Sequence, residues 1–440
     1  MRYPERWLVF GPRKLEAEIE VLQIWSLKSK ISWRSRALGN LGCCKMHKHI
    51  LFIVENNSFP SDVRVLRQAL AAKEFGYDVS VISPRDKIIK ERFQETDGID
   101  TYQYPRLVEG ASKAGLIFEY INAFFWEFVL SVRVFIKKRF DIIHAANPPD
   151  FLFLIALPYK LLGVKFIFDH HDLSPETFVA KFGKKGVFYY LLLILEWLTF
   201  KTADIVISTN ESYKKIALER GGRGYEDIFV VRNGPDLSSV TFSPGNDFWK
   251  KGFKYLVAYV GTIGTQECVD VLLRCVKYIV YDKGIKDIRF VIIGQGPSLS
   301  QMVGLSKSIG VDQYVEFTGF VSYEKFYEIL ATADLCVNPE HINSFTDKST
   351  MLKIMDYMTM GKPIIQFNTT EGRVTAGDSA IYIDNNDEIA FAEAIIALLD
   401  DPVKRRRMGE IGRKRIFEKL HWGEQKDNLK QVYENLRKYS

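Results

Sequence analysis

The chain has 440 residues, of which 47% are hydrophobic and 26% are charged, and this length predicts two or three domains that each bury their own core. Residues 1–45 hold nine of the 60 basic residues but only four of the 54 acidic ones, so the rest of the chain is almost neutral and does not require a nucleic-acid partner. Five cysteines without a Cys-x-x-Cys spacing argue against a disulfide scaffold and predict a reducing, cytoplasmic compartment.

The first 45 residues form an extension that matches nothing in the fold predicted after it. Their charges are scattered and no continuous apolar stretch is followed by small residues, so they do not resemble a secretory signal. Met46 directly precedes the first convincing strand, which suggests a start codon assigned too far upstream. The alternative is a basic arm that lies on an anionic membrane surface through Trp7, Trp25 and Trp33.

From residue 49 onward, short apolar runs alternate with segments of helical spacing, a pattern typical of parallel sheets covered by helices. A helix is predicted over 63–75, and strands are predicted over 50–54, 78–83, 142–145, 165–169 and 205–208. These elements predict a Rossmann-like, doubly wound domain over 46–237, followed by a polar linker over 238–251.

Two apolar segments, 121–136 and 187–200, are interrupted by Glu127, Arg133 and Glu196. Both fall short of the about 20 apolar residues that a membrane span needs, so core or interface helices are predicted. Lysines flank both segments, and peripheral contact with a membrane surface is the alternative.

The loop 169–176 follows a predicted strand and contains two adjacent histidines. Adjacent side chains point in different directions and no other cluster of His or Cys supplies further ligands, so no metal site is expected here. One alternative is that both histidines are structural, one packed and one solvated.

A second set of strands and helices predicts a second Rossmann-like domain over 252–421, with a last helix over 422–440 that no strand follows. Helices are predicted over 270–282 and 323–332, and strands over 255–261, 289–293, 315–318, 335–338, 364–366 and 380–383. Two such domains leave a cleft between the carboxyl ends of their strands, where ligands bind.

The segment 348–365 begins with polar residues, carries one acid among apolar residues and stops at Gly361 before a strand. Ser349 and Thr350 are predicted to cap the first helical turn, whose free N–H groups and positive dipole end suit a diphosphate. Asp356 follows about two turns later, where a ribose would lie. We interpret the segment as the donor-nucleotide helix of a sugar transferase; the alternative is an ordinary amphipathic helix facing a core.

Several short motifs recur in the order typical of one enzyme family. They are 57–65, which includes Pro60 and Arg64, then 141–144, 204–208, 231–235, 260–261, 293–297, 315–319 and 333–334. In these motifs and their order, the chain from about 46 to 440 resembles the retaining GT-B glycosyltransferases of the group 1 class, glycosyltransferase family 4.

The resemblance implies two Rossmann-like domains facing each other across a cleft. It implies transfer of a sugar from a nucleotide diphosphate donor to a glycan or lipid-linked acceptor with retention of configuration. The expected setting is surface polysaccharide or glycoconjugate synthesis, in the cytoplasm or peripherally on the inner face of the membrane. No cofactor and no metal are expected, because cationic side chains and helix N–H groups can neutralise the diphosphate.

The resemblance also implies site residues on both domains. Pro60 and Arg64 lie on the acceptor side, while His171 or His170 contacts the transferred sugar and Asp172 orients the imidazole or the acceptor hydroxyl. The implied donor site on the second domain consists of Asp356, Lys348, Ser349, Thr350, Met351, Gly261, Thr262, Gly294, Gly296 and Arg373.

The chain departs from the family pattern where the donor phosphates are held. Family members usually carry an acid eight positions before the ribose-binding acid, where this chain has Lys348. They often carry Arg and Lys in the loop where this chain has Thr262 and Glu267. We interpret this as a relocation of positive charge to Lys348, aided by Arg373, so that the charge of the donor diphosphate is still partly neutralised. The alternative is a decayed site.

Two other functions are compatible with the sequence. A nucleotide-sugar epimerase can use the same architecture but should need acid/base carboxylates beside the sugar. A non-catalytic GT-B partner subunit would keep the cleft and lose turnover.

Overall fold

The structure, a computed structural model, describes residues 48–85, 93–106 and 113–436. The predictions for the extension 1–45 therefore lie outside the described residues. Within the described ranges the chain forms two α/β units, each built on a mainly parallel sheet, which confirms the predicted fold class.

The first sheet has eight strands in the order β3-β4-β2-β1-β5-β6-β7-β8, all parallel to their neighbours except for the antiparallel β3 and β4. The bounds are β1 (His49–Val54), β2 (Asp78–Pro84), β3 (Phe93–Thr96), β4 (Ile99–Tyr104), β5 (Ile142–Ala146), β6 (Lys165–His170), β7 (Ile205–Ser208) and β8 (Ile228–Val230). The central strands are continuous apolar runs because helices cover both of their faces. The sequence prediction missed β3, β4 and β8, which lie toward the sheet edges and, in β3 and β4, alternate with polar residues.

Helices on both faces of this sheet are α1 (Val63–Glu74), α2 (Lys113–Lys137), α3 (Phe153–Lys160), α4 (Ser174–Phe182), α5 (Val187–Thr202) and α6 (Glu211–Glu219). Helix α1 begins after Asp62, whose carboxylate accepts a hydrogen bond from the Val65 N–H at 2.9 Å. This side-chain cap satisfies one of the N–H groups that a helix start leaves free.

The second sheet has six parallel strands in the order β11-β10-β9-β12-β13-β14. The strands are β9 (Tyr255–Val260), β10 (Ile288–Ile293), β11 (Val315–Gly319), β12 (Leu335–Asn338), β13 (Ile364–Phe367) and β14 (Ala380–Ile383). The helices are α7 (Val269–Lys277), α8 (Leu299–Ser308), α9 (Tyr323–Thr332), α10 (Leu352–Thr359), α11 (Thr370–Ala376), α12 (Glu388–Leu399), α13 (Pro402–Arg415) and α14 (Trp422–Leu436). Short 3₁₀ or π turns occupy Tyr225–Asp227, Asp247–Lys250, Tyr278–Asp282, Gly377–Ser379 and Ile416–Leu420.

The last helix, α14, returns to the first sheet. Its Leu429, Val432 and Leu436 are buried in the same apolar cluster as the side chains of β1 and α1. The Tyr433 hydroxyl lies 3.0 Å from His144 Nδ1, at the centre of that sheet. The C-terminal helix thus ties the two units together by completing the core of the first one.

The two apolar segments noted in the sequence form α2 and α5. Each helix buries one side against the first sheet and exposes many large apolar side chains on the other, so the prediction of core or interface helices holds for the buried side only. Among the described helices, none has the length and apolar character needed to cross a membrane.

Candidate active site

The loops after β7 and β12 meet and join the two domains. The Asn210 side-chain amide, at the start of α6, donates to the Lys348 carbonyl at 2.8 Å and to Thr350 Oγ1 at 3.0 Å. The Tyr213 hydroxyl lies 3.1 Å from Ser349 Oγ. The segment predicted to hold a donor diphosphate is therefore also one of the contacts that join the two domains.

The prediction that Ser349 and Thr350 cap the helix was wrong. Helix α10 begins at Leu352, and the half-buried Met351 occupies the cap position without a side-chain hydrogen bond. The two hydroxyl groups bond instead to α6 and, for Ser349, to the Phe345 carbonyl at 2.9 Å. Partners from another domain outcompete the local cap that the sequence pattern favours.

Asp356 lies on α10, half-buried and without a side-chain hydrogen bond to any described residue. Withdrawal from water raises the pKa of its carboxyl group to about 7, against the opposing charge of Arg67. Arg67 belongs to α1 of the first domain and donates to the Gly234 carbonyl at 2.7 Å. An unpaired acid that senses a cation of the opposite domain is the expected state of a ligand-binding carboxylate in a cleft.

Lys353, one helical turn before Asp356, is a residue that the sequence reasoning missed. Its ammonium pairs with the buried Glu340 and lies 3.3 Å from the Tyr259 hydroxyl and 4.7 Å from the centre of that ring. Burial alone would lower the pKa of Lys353, but the charge of Glu340 raises it, so the side chain stays cationic. Its i, i+3 spacing from Asp356 was the sequence signal that could have found it.

The Lys353 ammonium lies directly beneath the loop that follows β9. A Cβ added at Gly261 would lie 3.0 Å from this nitrogen, and φ of Gly261 is +152°, a value that favours glycine. The same loop carries the exposed Thr262, whose carbonyl accepts from Tyr259 at 3.2 Å, and Glu267. Positive charge is thus present behind the loop from which the expected cations are missing.

Lys348 and Arg373 differ in how many contacts their charged groups make with other side chains. Lys348 is half-buried, and within the described ranges its ammonium makes no hydrogen bond or ion pair. Arg373 donates to Asn368 at 2.6 Å and stacks on the Tyr382 ring at 4.3 Å. Arg373 is exposed and lies on the same domain as Lys348, so its part in neutralising the diphosphate stays a prediction.

Gly294 and Gly296 allow two loops to run against each other. A Cβ at Gly294 would lie 1.8 Å from the Gly261 carbonyl oxygen, and one at Gly296 would lie 2.4 Å from that of Ile263. The Ile263 N–H donates to the Gln295 carbonyl at 3.0 Å, which fixes the loop pair. Close backbone approach thus accounts for both glycines, whether or not a ligand lies beside them.

On the first domain, Asn147 fixes the loop that carries His171 and Asp172. Its side-chain oxygen accepts from the two backbone N–H groups at 2.8 and 3.1 Å, and its amide donates to the Asp172 carbonyl at 2.7 Å. His171 is half-buried, and its Nδ1 is buried without a hydrogen-bond partner among the described residues. Burial raises the pKa of Asp172, and the charge of the neighbouring His171 acts in the opposite direction and lowers it. These two side chains remain candidates for contact with a sugar.

His170 is a correction, because it is fully buried and cannot reach a sugar in the cleft. Its ring packs 5.0 Å from that of Phe200 and 5.3 Å from that of Tyr213, and its Nε2 lies 3.5 Å from Glu196 Oε1. One histidine of the pair is therefore packed, as the structural alternative predicted without saying which, and the other is half-buried.

Arg64 is a second correction. It is buried and donates to both carboxylate oxygens of Asp169 at 2.8 and 2.6 Å and to the Val231 carbonyl at 3.0 Å. Burial would raise the pKa of Asp169, but the Arg64 guanidinium and His144 hold it far below its usual range. The Arg64 guanidinium is therefore used to hold Asp169 and the Val231 carbonyl in place and is not free to bind an acceptor. Pro60, which precedes Arg64 by four residues, is half-buried and stays an acceptor-side candidate.

Two mainly parallel Rossmann-like sheets joined across their loops define the GT-B class. Sucrose-phosphate synthase from Thermosynechococcus elongatus superposes with a TM-score of 0.73 at 16% identity, over 90% of this chain and 100% of that one. Anabaena HepE in complex with UDP-glucose superposes with a TM-score of 0.67 at 14% identity, over 89% of this chain and 100% of that one. These likenesses establish the fold.

Sequence comparison adds the enzyme class. Residues 62–239 match the profile of Glycosyltransferase Family 4, and residues 254–401 match that of Glycosyl transferases group 1. An uncharacterized glycosyltransferase of Methanocaldococcus jannaschii is 21% identical over 375 residues, which cover 83% of this chain and 92% of that protein. The protein is a glycosyltransferase, composed of a family 4 domain followed by a group 1 domain.

Proposed function

We propose that the protein transfers a hexose-type sugar from a nucleotide diphosphate donor to a glycan or lipid-linked acceptor with retention of configuration. The expected setting is surface polysaccharide or glycoconjugate synthesis at the inner face of the membrane. The observation that carries the proposal is Asp356, an acid without a side-chain hydrogen bond on α10 of a GT-B fold, one turn from the buried cation Lys353. The HepE structure, which holds UDP-glucose on the same fold, supports this class of donor.

In the proposed complex, Asp356 accepts hydrogen bonds from the two ribose hydroxyls. The base lies near the loop of Gly294 and Gly296, and the diphosphate lies between the Gly261 loop and the segment from Lys348 to Met351. Lys353 and Lys348 supply the positive charge that Thr262 and Glu267 cannot. The sequence interpretation places the diphosphate at the capped start of a helix. In this proposal two lysines, one on either side of the phosphates, neutralise it instead.

Catalysis then consists of positioning and of stabilising the leaving diphosphate. The bond between the anomeric carbon and the phosphate oxygen breaks as the acceptor oxygen bonds to the same face of that carbon. The acceptor proton passes to the leaving phosphate oxygen, so the scheme needs no protein nucleophile. His171 and Asp172 orient the sugar and the acceptor hydroxyl, and the lysines make a divalent metal unnecessary.

The first test is a thermal-shift screen of nucleotide diphosphates and their sugars, because a ligand at 100 times its dissociation constant stabilises by about 2.7 kcal/mol. We expect at least one nucleotide sugar to raise the melting temperature in the presence of EDTA. No shift with any of them would favour the non-catalytic subunit.

Product analysis then separates the two enzyme classes. Incubation with the donor alone should leave its sugar unchanged, whereas an epimer would identify an epimerase. NMR of the first product formed with an acceptor should show the donor's anomeric configuration, and the opposite anomer would refute retention.

A further inference from the structure

Helices α2, α3 and α5 cover the same side of the first sheet and expose a continuous apolar face. Helix α3 packs against both α2 and α5, and the buried sides of all three helices contribute to one apolar cluster. We call the exposed side the α2–α3–α5 face. Its most exposed members include Ile121 (61%), Phe125 (58%), Ile136 (80%), Leu161 (89%), Val187 (84%) and Ile194 (54%).

Side chains that suit a boundary between water and lipid lie on the same face. Trp197 and Tyr190 of α5 are 45% and 59% exposed. Their rings combine an apolar body with a polar tip, the combination enriched at membrane interfaces. An exposed apolar face that spans three helices is larger than the scattered exposed residues of an ordinary soluble surface.

The charge on these helices has one sign. Within the described part of the chain, α2 carries only two acids, Glu119, which is half-buried and 3.8 Å from Arg106, and Glu127, which is buried. Helix α3 has no acid, and Glu196 of α5 is buried. The exposed charges are basic on α2 (Arg133 and Lys137), before α5 (Lys181, Lys184 and Lys185) and within α5 (Lys201). Just after α2, Arg139 is exposed as well, whereas Lys138 pairs with Asp78 at 3.1 Å and the nearby Asp141 is exposed.

We propose that the α2–α3–α5 face docks on the surface of an anionic lipid bilayer. The apolar side chains enter the interface while the surrounding lysines and arginines contact lipid phosphates. A second copy of the chain fits this face less well, because a two-fold interface would bring the basic residues of both copies together.

The docked face lies beside the acceptor side of the candidate site. Helix α4 begins two residues after Asp172, and its Phe178 ring lies 6.3 Å from Phe188 at the start of α5. From α2, Tyr120 packs 5.8 Å from Phe151, next to the Asp150 carboxylate that accepts from Asn147 at 2.7 Å. An acceptor anchored in the bilayer would therefore meet His171 from the membrane side. This last step rests on the proposed function, whereas the docking itself does not.

Vesicle sedimentation with the full chain tests the docking. We expect the protein to pellet with phosphatidylcholine vesicles that contain phosphatidylglycerol, to pellet far less with phosphatidylcholine alone, and to be released by salt. Phe125→Glu with Ile194→Glu, and separately Lys184→Glu with Lys185→Glu, should each lower the partition coefficient about tenfold or more. Val403→Glu with Lys404→Glu, on the exposed surface of α13, is the matched control and should bind like the wild type.

Melting temperature and its shift by UDP-glucose are measured on every variant, so loss of folding or of donor binding is seen separately from loss of docking. The proposal is overturned if the wild type stays in the supernatant with anionic vesicles, or if the control variant loses as much binding as the others. It is also overturned if the wild type forms a dimer that Phe125→Glu with Ile194→Glu dissociates while neither protein binds vesicles.

Discussion

Asp169 of the first domain and Asp356 of the second are both acids withdrawn from water, and their surroundings are opposite. Asp169 is fully buried, and Arg64, Gln68 and His144 surround its carboxylate. Asp356 is half-buried on α10 without a side-chain hydrogen bond, and burial raises its pKa to about 7. A charge that the protein has already satisfied supports the scaffold, whereas a charge left unsatisfied in a cleft is available to a ligand.

The largest expected effect is on stability and concerns the satisfied acid. Arg64→Met should lower the free energy of unfolding by about 3 to 5 kcal/mol, because it leaves Asp169 as a buried, uncompensated charge. Urea denaturation followed by circular dichroism measures this loss. Arg64→Met with Asp169→Asn should regain part of it. Equal stability of Arg64→Met and the wild type would show that Asp169 does not depend on its partners, and the contrast between a scaffold acid and a ligand-binding acid would fail.

The next effect concerns Lys353, the cation one helical turn before the unsatisfied acid. Lys353→Met with Glu340→Gln removes both members of the buried pair and should weaken binding of a nucleotide diphosphate sugar by about 1.5 to 3 kcal/mol, the contribution of a hydrogen bond to a charged group. Glu340→Gln alone frees the ammonium and should bind the donor at least as tightly as the wild type. Titration calorimetry compares the three proteins. Unchanged affinity in the double variant would show that Lys353 serves only the fold.

A smaller effect is expected for the lysine that carries no ion pair. Lys348→Glu should weaken donor binding, and the added change Glu267→Lys should restore much of it, with a coupling energy of about 0.5 to 3 kcal/mol if both groups share one diphosphate. Wild-type affinity in Lys348→Glu would show that Lys348 faces solvent. A loss without rescue would assign it to another contact, such as the acceptor.

A further effect is the pH dependence of stability. The folded-state pKa of Asp356, about 7, lies above the ordinary value of 3.8, so the stability that this group contributes is complete below the ordinary value and is lost as the pH rises through about 7. The melting temperature of the donor-free wild type should therefore fall relative to that of Asp356→Asn as the pH is raised from 5 to 8. A constant difference between the two curves would contradict the raised pKa.

The sequence predicts the central strands well because continuous apolar runs such as those of β1 and β10 have few other uses. It misses β3 and β4, because apolar and polar residues alternate in these strands over too few positions to give a clear signal. Element type follows from local periodicity, whereas edge strands depend on pairing that a local pattern does not encode.

Site residues were harder to predict, for a related reason. Asp356 lies on the predicted helix, but Ser349 is bonded to Tyr213 of the other domain, and no local pattern reveals that partner. The adjacent histidines could not be ranked without the burial of His170. Lys353 was missed because its partner Glu340 lies in a different segment, the loop just after β12. Tertiary contacts decide which charges are satisfied.

Calorimetric titration of Asp356→Asn tests the central claim most directly. The ligand is the nucleotide diphosphate sugar that stabilises the wild type most, at pH 8, where Asp356 is ionised. Asp312→Asn, an exposed change before β11, is the matched control. We predict that Asp356→Asn weakens binding by about 1.5 kcal/mol or more, roughly tenfold, without lowering the free energy of unfolding, while the control binds like the wild type. Equal dissociation constants for Asp356→Asn and the wild type would contradict the assignment of Asp356 to the donor site.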